Sequence, residues 1–238
     1  MRVVLCIGGS VLAPGLDDER VGAHGAAVDA LVAEGCEVGV VVGGGEVARD
    51  YIGAARRLGA NEVQLDRIGI DVSRINARLL VAALGSAAAP SPAPDYEAAG
   101  AALRRGEVAV MGGVAPGQTT DAVAAALAED VDADLLVFAT STDGVYSADP
   151  DEDDGAEKYA RLSPDELIDL VVPMSRDAGA AAPVDLLAAK LIQRAGLRAV
   201  VLDGTDPAAV RRAVLHGEHG GTDVVPEGAS DPDRWTDG

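Results

Sequence analysis

The stretch VVVGGGEVARDYI, residues 40–52, runs a β-branched segment into three glycines and then into a helix-like stretch. Phosphate-binding turns are built this way, because glycines let backbone N–H groups close on an anion at a helix start. By letter the stretch also satisfies the dinucleotide fingerprint. Gly43, Gly45 and Ala48 fit G-x-G-x-x-G/A, and Asp66 lies 23 residues past Gly43. The context does not fit it. A ribose-binding acid should end a second strand, whereas Asp66 follows the polar NEVQL and opens a strongly periodic helix. There it reads equally as an N-cap or first-turn acid favoured by the helix dipole. A complete strand–helix unit precedes the triplet, and no G-x-x-x-x-G-K-[ST] occurs in the chain. The Rossmann and Walker readings are therefore set aside.

On either side of the triplet, buried-strand and helix patterns alternate. RVVLCI (2–7) reads as a strand ending in Gly8-Gly9-Ser10, followed by a helix over 17–34. After EVGVVV (37–42) come helices over 46–58 and 66–84, then a Pro-rich surface crossing at 87–95. Helices are expected over 95–104, 121–129, 164–172, 184–195 and 207–215. Strands are expected over 107–111, 134–139 and 198–202, with an edge strand at 222–225 and an acidic flexible tail at 227–238. This alternation predicts an α/β fold over 1–226, with a mainly parallel sheet covered on both faces. Ligands in such sheets sit beyond the carboxyl ends of the strands. The polar and glycine residues gather there, at 8–10, 43–45, 112–121 and 140–149. The two glycine turns then face one another and suit a pair of phosphorylated ligands, although glycines also serve simply to make tight turns. Arg49, one helical turn past Gly45, stays near the same anion.

Thirty-nine acidic residues face nineteen basic ones, and the lysines are Lys158 and Lys190 alone. A net charge of −20 repels nucleic acid, which needs a basic surface. With 48% hydrophobic residues the chain is not an acidic disordered protein. It reads as folded with an acidic, lysine-poor surface of the halophilic kind, or as a merely acidic mesophilic protein. Apolar runs are too short to span a bilayer, the start lacks a signal-peptide core, and two cysteines form no framework. A cytoplasmic location is expected.

The set IGGSV (7–11), VVGGGEVARDY (41–51), DRIGIDVSRINA (66–77), MGGVAPGQTTDAVAA (111–125) and DGVYSADP (143–150) resembles the amino-acid kinase superfamily. Within it, the pattern is similar to the archaeal-type UMP kinases, collinearly over about residues 1–225. The resemblance implies a three-layer αβα sandwich, ATP with Mg²⁺ carried on the nucleotide, UMP as acceptor and a homohexamer built as a trimer of dimers. It divides the domain into an acceptor-binding part, 1–130, and an ATP-binding part, 131–226. It places Gly9, Ser10, Gly45 and Arg49 on the ATP phosphates, and Gly44 on the UMP phosphate. Asp66 takes the UMP ribose hydroxyls. Val114, Ala115, Pro116, Gly117, Gln118, Thr119 and Thr120 wrap the acceptor, the two threonines fixing the uracil. Thr140, Tyr146 and Asp149 form the adenine and ribose side of the donor site. Arg49 and Asp121 are the implied catalytic pair, with helix capping as the plain alternative for Asp121.

One departure concerns charge. Many members of the superfamily carry lysine where this chain has Cys6, and Lys190 is a candidate replacement or simply a solvated helix residue. DPDEDDG (149–155) fails as an EF-hand, since its sixth position is Asp154 and its twelfth Ala160. It reads instead as a mobile acidic loop over the ATP site. His216 and His219 read as loop residues, His24 as facing solvent or a subunit contact, and Cys36 as a small buried residue.

Overall fold

The computed structural model describes residues 1–150, 153, 155–174 and 184–236. Three of the acidic residues in the expected 149–155 loop, Asp151, Glu152 and Asp154, lie outside that set. In chain order the strands are β1 (Arg2–Ile7), β2 (Glu37–Val42), β3 (Ala109–Met111), β4 (Leu135–Thr140), β5 (Val145–Tyr146), β6 (Lys158–Tyr159), β7 (Arg161–Leu162), β8 (Ala199–Asp203) and β9 (Thr222–Val224). The helices are α1 (Gly9–Leu12), α2 (Asp18–Ala33), α3 (Gly45–Arg57), α4 (Glu62–Leu84), α5 (Tyr96–Arg104), α6 (Thr120–Asp130), α7 (Pro164–Met174), α8 (Leu186–Ala195), α9 (Pro207–His216) and α10 (Asp233–Thr236).

Seven strands form one sheet in the order β3-β2-β1-β4-β8-β9-β7. The first five are parallel, β9 runs antiparallel to β8, and β7 lies parallel beside β9. Strands buried on both faces read as continuous aliphatic runs, and their residues alternate between two cores. Val4, Cys6, Phe138 and Val201 pack toward α5, α6, α7 and α8. Leu5, Ile7, Val40 and Val200 pack toward α2, α4 and α9. The result is the expected sheet between two helical layers, with β1, β2 and β4 delivering their carboxyl ends to one rim.

Five expectations change. The polar NEVQL is no strand but the first turn of α4: Asn61 accepts from Gln64 N–H at 3.0 Å and Gln64 Oε1 accepts from Asn61 N–H at 2.9 Å. This reciprocal capping box starts the helix at Glu62, so Asp66 sits one turn inside it rather than at its cap. The Pro-rich 87–95 segment runs along the free side of β3, where Ala89 and Ala93 N–H groups bond Val108 and Val110 carbonyls. Prolines are tolerated at such a rim because it has no further strand to serve. The 222–225 segment is not the edge, since β7 lies outside it. Residues expected to form a solvated tail return to the body through α10: Trp235 Nε1 donates to Val214 O at 2.9 Å and its ring lies 4.7 Å from the buried Arg198 guanidinium. His24, expected at the surface, is 1% exposed beneath α1.

Candidate active site

The two glycine turns meet backbone on backbone. A Cβ on Gly9 would fall 2.3 Å from Gly45 N and 2.4 Å from Gly43 O, and one on Gly45 would fall 2.5 Å from Gly9 C. Gly45 also holds φ +65, a conformation that side chains with a Cβ resist. No other residue fits at Gly9 or Gly45. Asn76 locks the triplet from behind: buried in α4, it donates through Nδ2 to Gly43 O at 2.9 Å and Gly44 O at 3.2 Å. The N–H groups of the first α3 turn have no intrahelical partner, and such groups can take an anion.

The loop after β3 closes the other wall. Ser73 Oγ accepts from Gly113 N–H at 2.8 Å, and Arg74 Nε donates to Gly113 O at 3.0 Å. Asp66 Oδ2 accepts from Gly117 N–H at 2.8 Å, which pins the loop tip to α4. Between these walls lies a cleft of about 480 Å³. Of the expected acceptor residues, Gly44, Asp66, Gly117, Gln118, Thr119 and Thr120 line it, together with Gly45 and Arg49. Among the described residues Arg49 has no intramolecular partner, so its guanidinium is available to a ligand. Val114 instead packs against the core, and Ala115 and Pro116 form the approach to the loop tip, outside the lining.

Asp121 stands in the first turn of α6, behind the cleft. Among the described residues its partners are not cations. Cys6 Sγ donates to Asp121 Oδ1 at 3.3 Å, and the Asp185 backbone N–H bonds the same carboxylate. Burial, and next the nearby Asp185 charge, push the Asp121 carboxyl up to about 6. Burial, followed by the Asp121 charge, also pushes the Cys6 thiol well up, so it remains a neutral donor. Cys6, where the resemblance leads to an expectation of lysine, thus gives Asp121 a thiol proton. Lys190 is exposed on α8, and among the described residues no ion pair links it to Asp121.

Thr119 differs from expectation. Its hydroxyl accepts from Ala122 N–H at 3.1 Å and donates to Asp185 Oδ2, so its single proton is already used. Thr120 keeps its hydroxyl free among the described residues.

The expected donor residues lie apart from this cleft, at and beyond the end of β4. Thr140 Oγ1 bonds within its own turn to Thr142. Tyr146 donates its hydroxyl to Asp143 at 2.6 Å, which raises the phenol pKa, and Lys158 Nζ donates to Asp143 Oδ2 at 2.8 Å. The hydrogen bond from Lys158 holds the Asp143 carboxyl below its ordinary range. Asp149 follows in the acidic stretch, where its carbonyl accepts from Asp153 N–H. Asn76, Ser73, Asp143, Lys158 and Asp185 were not singled out from sequence. Only Asp185 carried a clear signal, an aspartate directly before the apolar helix LLAAKLI.

His216, expected in a loop, is the last residue of α9, whereas His219 lies in the loop after it. His219 Nδ1 accepts from Gly221 N–H and its Nε2 lies 3.6 Å from Asp223.

Comparison with known proteins bears on the family. The profile of the amino acid kinase family matches residues 1–203. Uridylate kinase of Halorubrum lacusprofundi is 66% identical over 236 residues, covering 99% of this chain and 98% of that protein. Uridylate kinase of Haloquadratum walsbyi is 67% identical over the same length, with the same coverage. The crystal structure of uridylate kinase from Archaeoglobus fulgidus superposes with a TM-score of 0.84 at 44% identity, covering 94% of this chain and all of that one. From the sheet, the glycine turns and these similarities together, the chain belongs to the amino acid kinase family.

Proposed function

We propose that this chain is a UMP kinase, transferring the terminal phosphoryl group of ATP to UMP to give UDP and ADP. The observation that carries the reading is the joint between the two glycine turns. It brings the first-turn N–H groups of α3 and the unpartnered Arg49 to the mouth of a cleft walled by Asp66 and residues 117–120. The UMP phosphate lies over Gly44 and the donor phosphates over Gly9, Ser10 and Gly45. Such a transfer needs little covalent help, because a phosphate acceptor is already ionised at neutral pH and requires no general base. What remains is in-line placement and neutralisation of charge. Backbone N–H groups and Arg49 supply that locally, against the chain's net charge of −20. Mg²⁺ arrives on the ATP phosphates, as it does where few protein carboxylates are offered. Asp121 orients the groups around the transferring phosphoryl.

Asp66 receives the ribose hydroxyls with its remaining lone pairs while still holding Gly117. Thr120, rather than Thr119, offers the hydroxyl to the uracil. Thr140, Tyr146 and Asp149 receive adenine and ribose, so the acceptor half is 1–130 and the donor half 131–226. Tyr51, Leu58, Val63, Ile75 and Leu79 are exposed apolar residues on and between α3 and α4. They are the natural contact surface for the dimers of a homohexamer. Among the described residues no helix is long and apolar enough to cross a membrane.

The test is ADP formation in high KCl with ATP, Mg²⁺ and a panel of acceptors. UMP should exceed CMP, AMP, isopentenyl phosphate and N-acetylglutamate by orders of magnitude, and equal rates would overturn the assignment. Asp66→Asn should raise KM for UMP far more than KM for ATP. Equal weakening would mean that the acceptor cleft is misplaced.

A further inference from the structure

We propose that Asp185 is a positioning residue for the transfer: one aspartate ties the acceptor loop to the donor half and fixes the carboxylate of Asp121. The inference rests on the kinase reading above, but its geometry is independent of it.

Asp185 makes three kinds of bond. Its Oδ1 caps α8, accepting from Leu187 N–H at 2.6 Å and Ala188 N–H at 3.1 Å. Its Oδ2 accepts the Thr119 hydroxyl proton across 66 residues of sequence. Its backbone N–H donates to Asp121. Thr119 is itself the N-cap of α6, through the bond from Ala122 N–H. Two helix caps from the two halves of the domain therefore share a carboxylate and a hydroxyl, and the residue two places past Thr119 is Asp121.

Capping alone does not call for this arrangement. A serine or asparagine caps a helix as well as aspartate does, using one oxygen. Here the second oxygen is spent on Thr119, so both carboxylate oxygens are needed. The choice also sets a negative charge beside Asp121, which is faced by Cys6 from β1 and Asp185 from the α8 end, with no cation paired to it among the described residues. Placing like charges together opposes stability. The gain is a fixed Asp121 and a fixed loop 117–120, both at the place where acceptor and donor must align. A displacement of about 1 Å in such a site costs about a hundredfold in rate.

Four variants test this. Asp185→Asn keeps the cap of α8 but turns an acceptor into a donor toward Thr119. Asp185→Ser keeps the cap and drops the tie. Thr119→Val removes the hydroxyl, and Thr119→Ser restores it. Asp185→Asn and Asp185→Ser should lower kcat about tenfold or more while changing KM for UMP and ATP by less than about threefold, the signature of lost alignment rather than lost binding. Thr119→Val should match them and Thr119→Ser should recover most of the rate. In Asp185→Asn the acid limb of the kcat profile should also move to lower pH, because the charge holding Asp121 up is gone. Amide exchange across 117–122, measured without nucleotides, should quicken in Asp185→Asn and Thr119→Val. Unchanged exchange overturns the tie, whatever the enzyme phosphorylates. Quickened exchange with kcat within twofold of the parent, in an enzyme active on UMP, overturns the positioning role. An inactive parent overturns the kinase reading and leaves the exchange result to decide the tie.

Discussion

At the joint between the two glycine turns, Gly9, Gly43 and Gly45 stack main chain against main chain, and the buried Asn76 holds them from behind. Beyond the end of β4, Asp143, Tyr146 and Lys158 hold one another through exposed side-chain tips, with Lys158 and Asp143 side chains 33% and 52% accessible. The first arrangement has no slack, because backbone atoms cannot rotate out of a clash. The second is soft, because each partner can exchange its bond for water at little cost. On the proposed kinase reading, the reacting phosphates meet at the joint and need close alignment, whereas the adenosine end of ATP lies away from them. Rigidity is concentrated where alignment decides the rate.

The largest effect should come from adding one methyl group. Gly9→Ala puts a Cβ within 2.3–2.5 Å of three backbone atoms of residues 43–45. The two turns must then separate, and UMP-dependent ADP formation should fall by about a hundredfold or more. Gly8→Ala is the control: its Cβ meets nothing closer than 3.6 Å, and the residue's φ is −55. Activity within a few-fold of the parent is expected there. If both variants behave alike, the backbone joint does not govern the transfer.

Next is Asn76. Replacing it by alanine leaves the Gly43 and Gly44 carbonyls without their side-chain donor, in a region where water does not easily substitute. Leaving a buried group unpaired costs about 1–3 kcal/mol. Asn76→Ala should therefore lower the unfolding free energy by that amount, read from denaturant titration, and raise KM for UMP as the triplet loosens. A change under about 0.5 kcal/mol, the range of ordinary surface substitutions, would show that the glycines hold themselves.

These contrasts also explain how far the sequence could be read. The glycine turns were legible because their chemistry is local: strand, small-residue turn and helix follow one another directly; the PGQTTDAVAA segment stood out only through the family resemblance. The sheet was legible because strands buried on both faces are continuous aliphatic runs. Asn76 was not, since an asparagine inside a periodic helix shows nothing of the two carbonyls it meets. The start of α4 was misread because the apolar period begins only after the capping box, although Asn61 and Gln64 are a recognisable N-x-x-Q pair. His24 reads as facing solvent or a subunit contact because a titratable ring is not expected on a buried face, yet it lies at helical spacing with Val21, Val28 and Leu31, and the Val11 backbone bonds the ring. Trp235 looked like part of a tail because the groove it fills, at Gly217 and Val214, is created only by the fold. Local grammar survives in sequence. Tertiary partners do not.

His24 offers a pH test on the rigid side. Burial, and then the Arg20 charge, push its imidazole down from 6.5 to about 4, and its Nε2 has no partner. The folded state therefore binds fewer protons than the unfolded chain between those values. The stability this residue contributes is full above pH 6.5 and is lost as pH falls toward 4, a loss of about 3 kcal/mol. Asp121 has the opposite sign: with its carboxyl raised to about 6 from 3.8, folding gains as pH falls through that window. The parent's profile mixes the two, so the informative quantity is the difference from His24→Leu. That difference should shrink steadily from pH 6.5 to 4 as the parent loses its advantage, read from denaturant midpoints. A difference independent of pH would mean that His24 is solvated.

The smallest effect is expected on the soft side. Lys158 bonds Asp143 and the Gly220 carbonyl, and joins the β5–β6 hairpin to the turn before β9. Exposed pairs of this kind contribute about 0–1 kcal/mol and are screened by salt. Lys158→Ala should change unfolding free energy by less than about 1 kcal/mol in dilute buffer, and by nothing measurable in molar KCl. Its effect on turnover should fall on KM for ATP alone, leaving kcat and KM for UMP unchanged. A drop in kcat would extend the rigid region across the cleft and erase the distinction between its two sides.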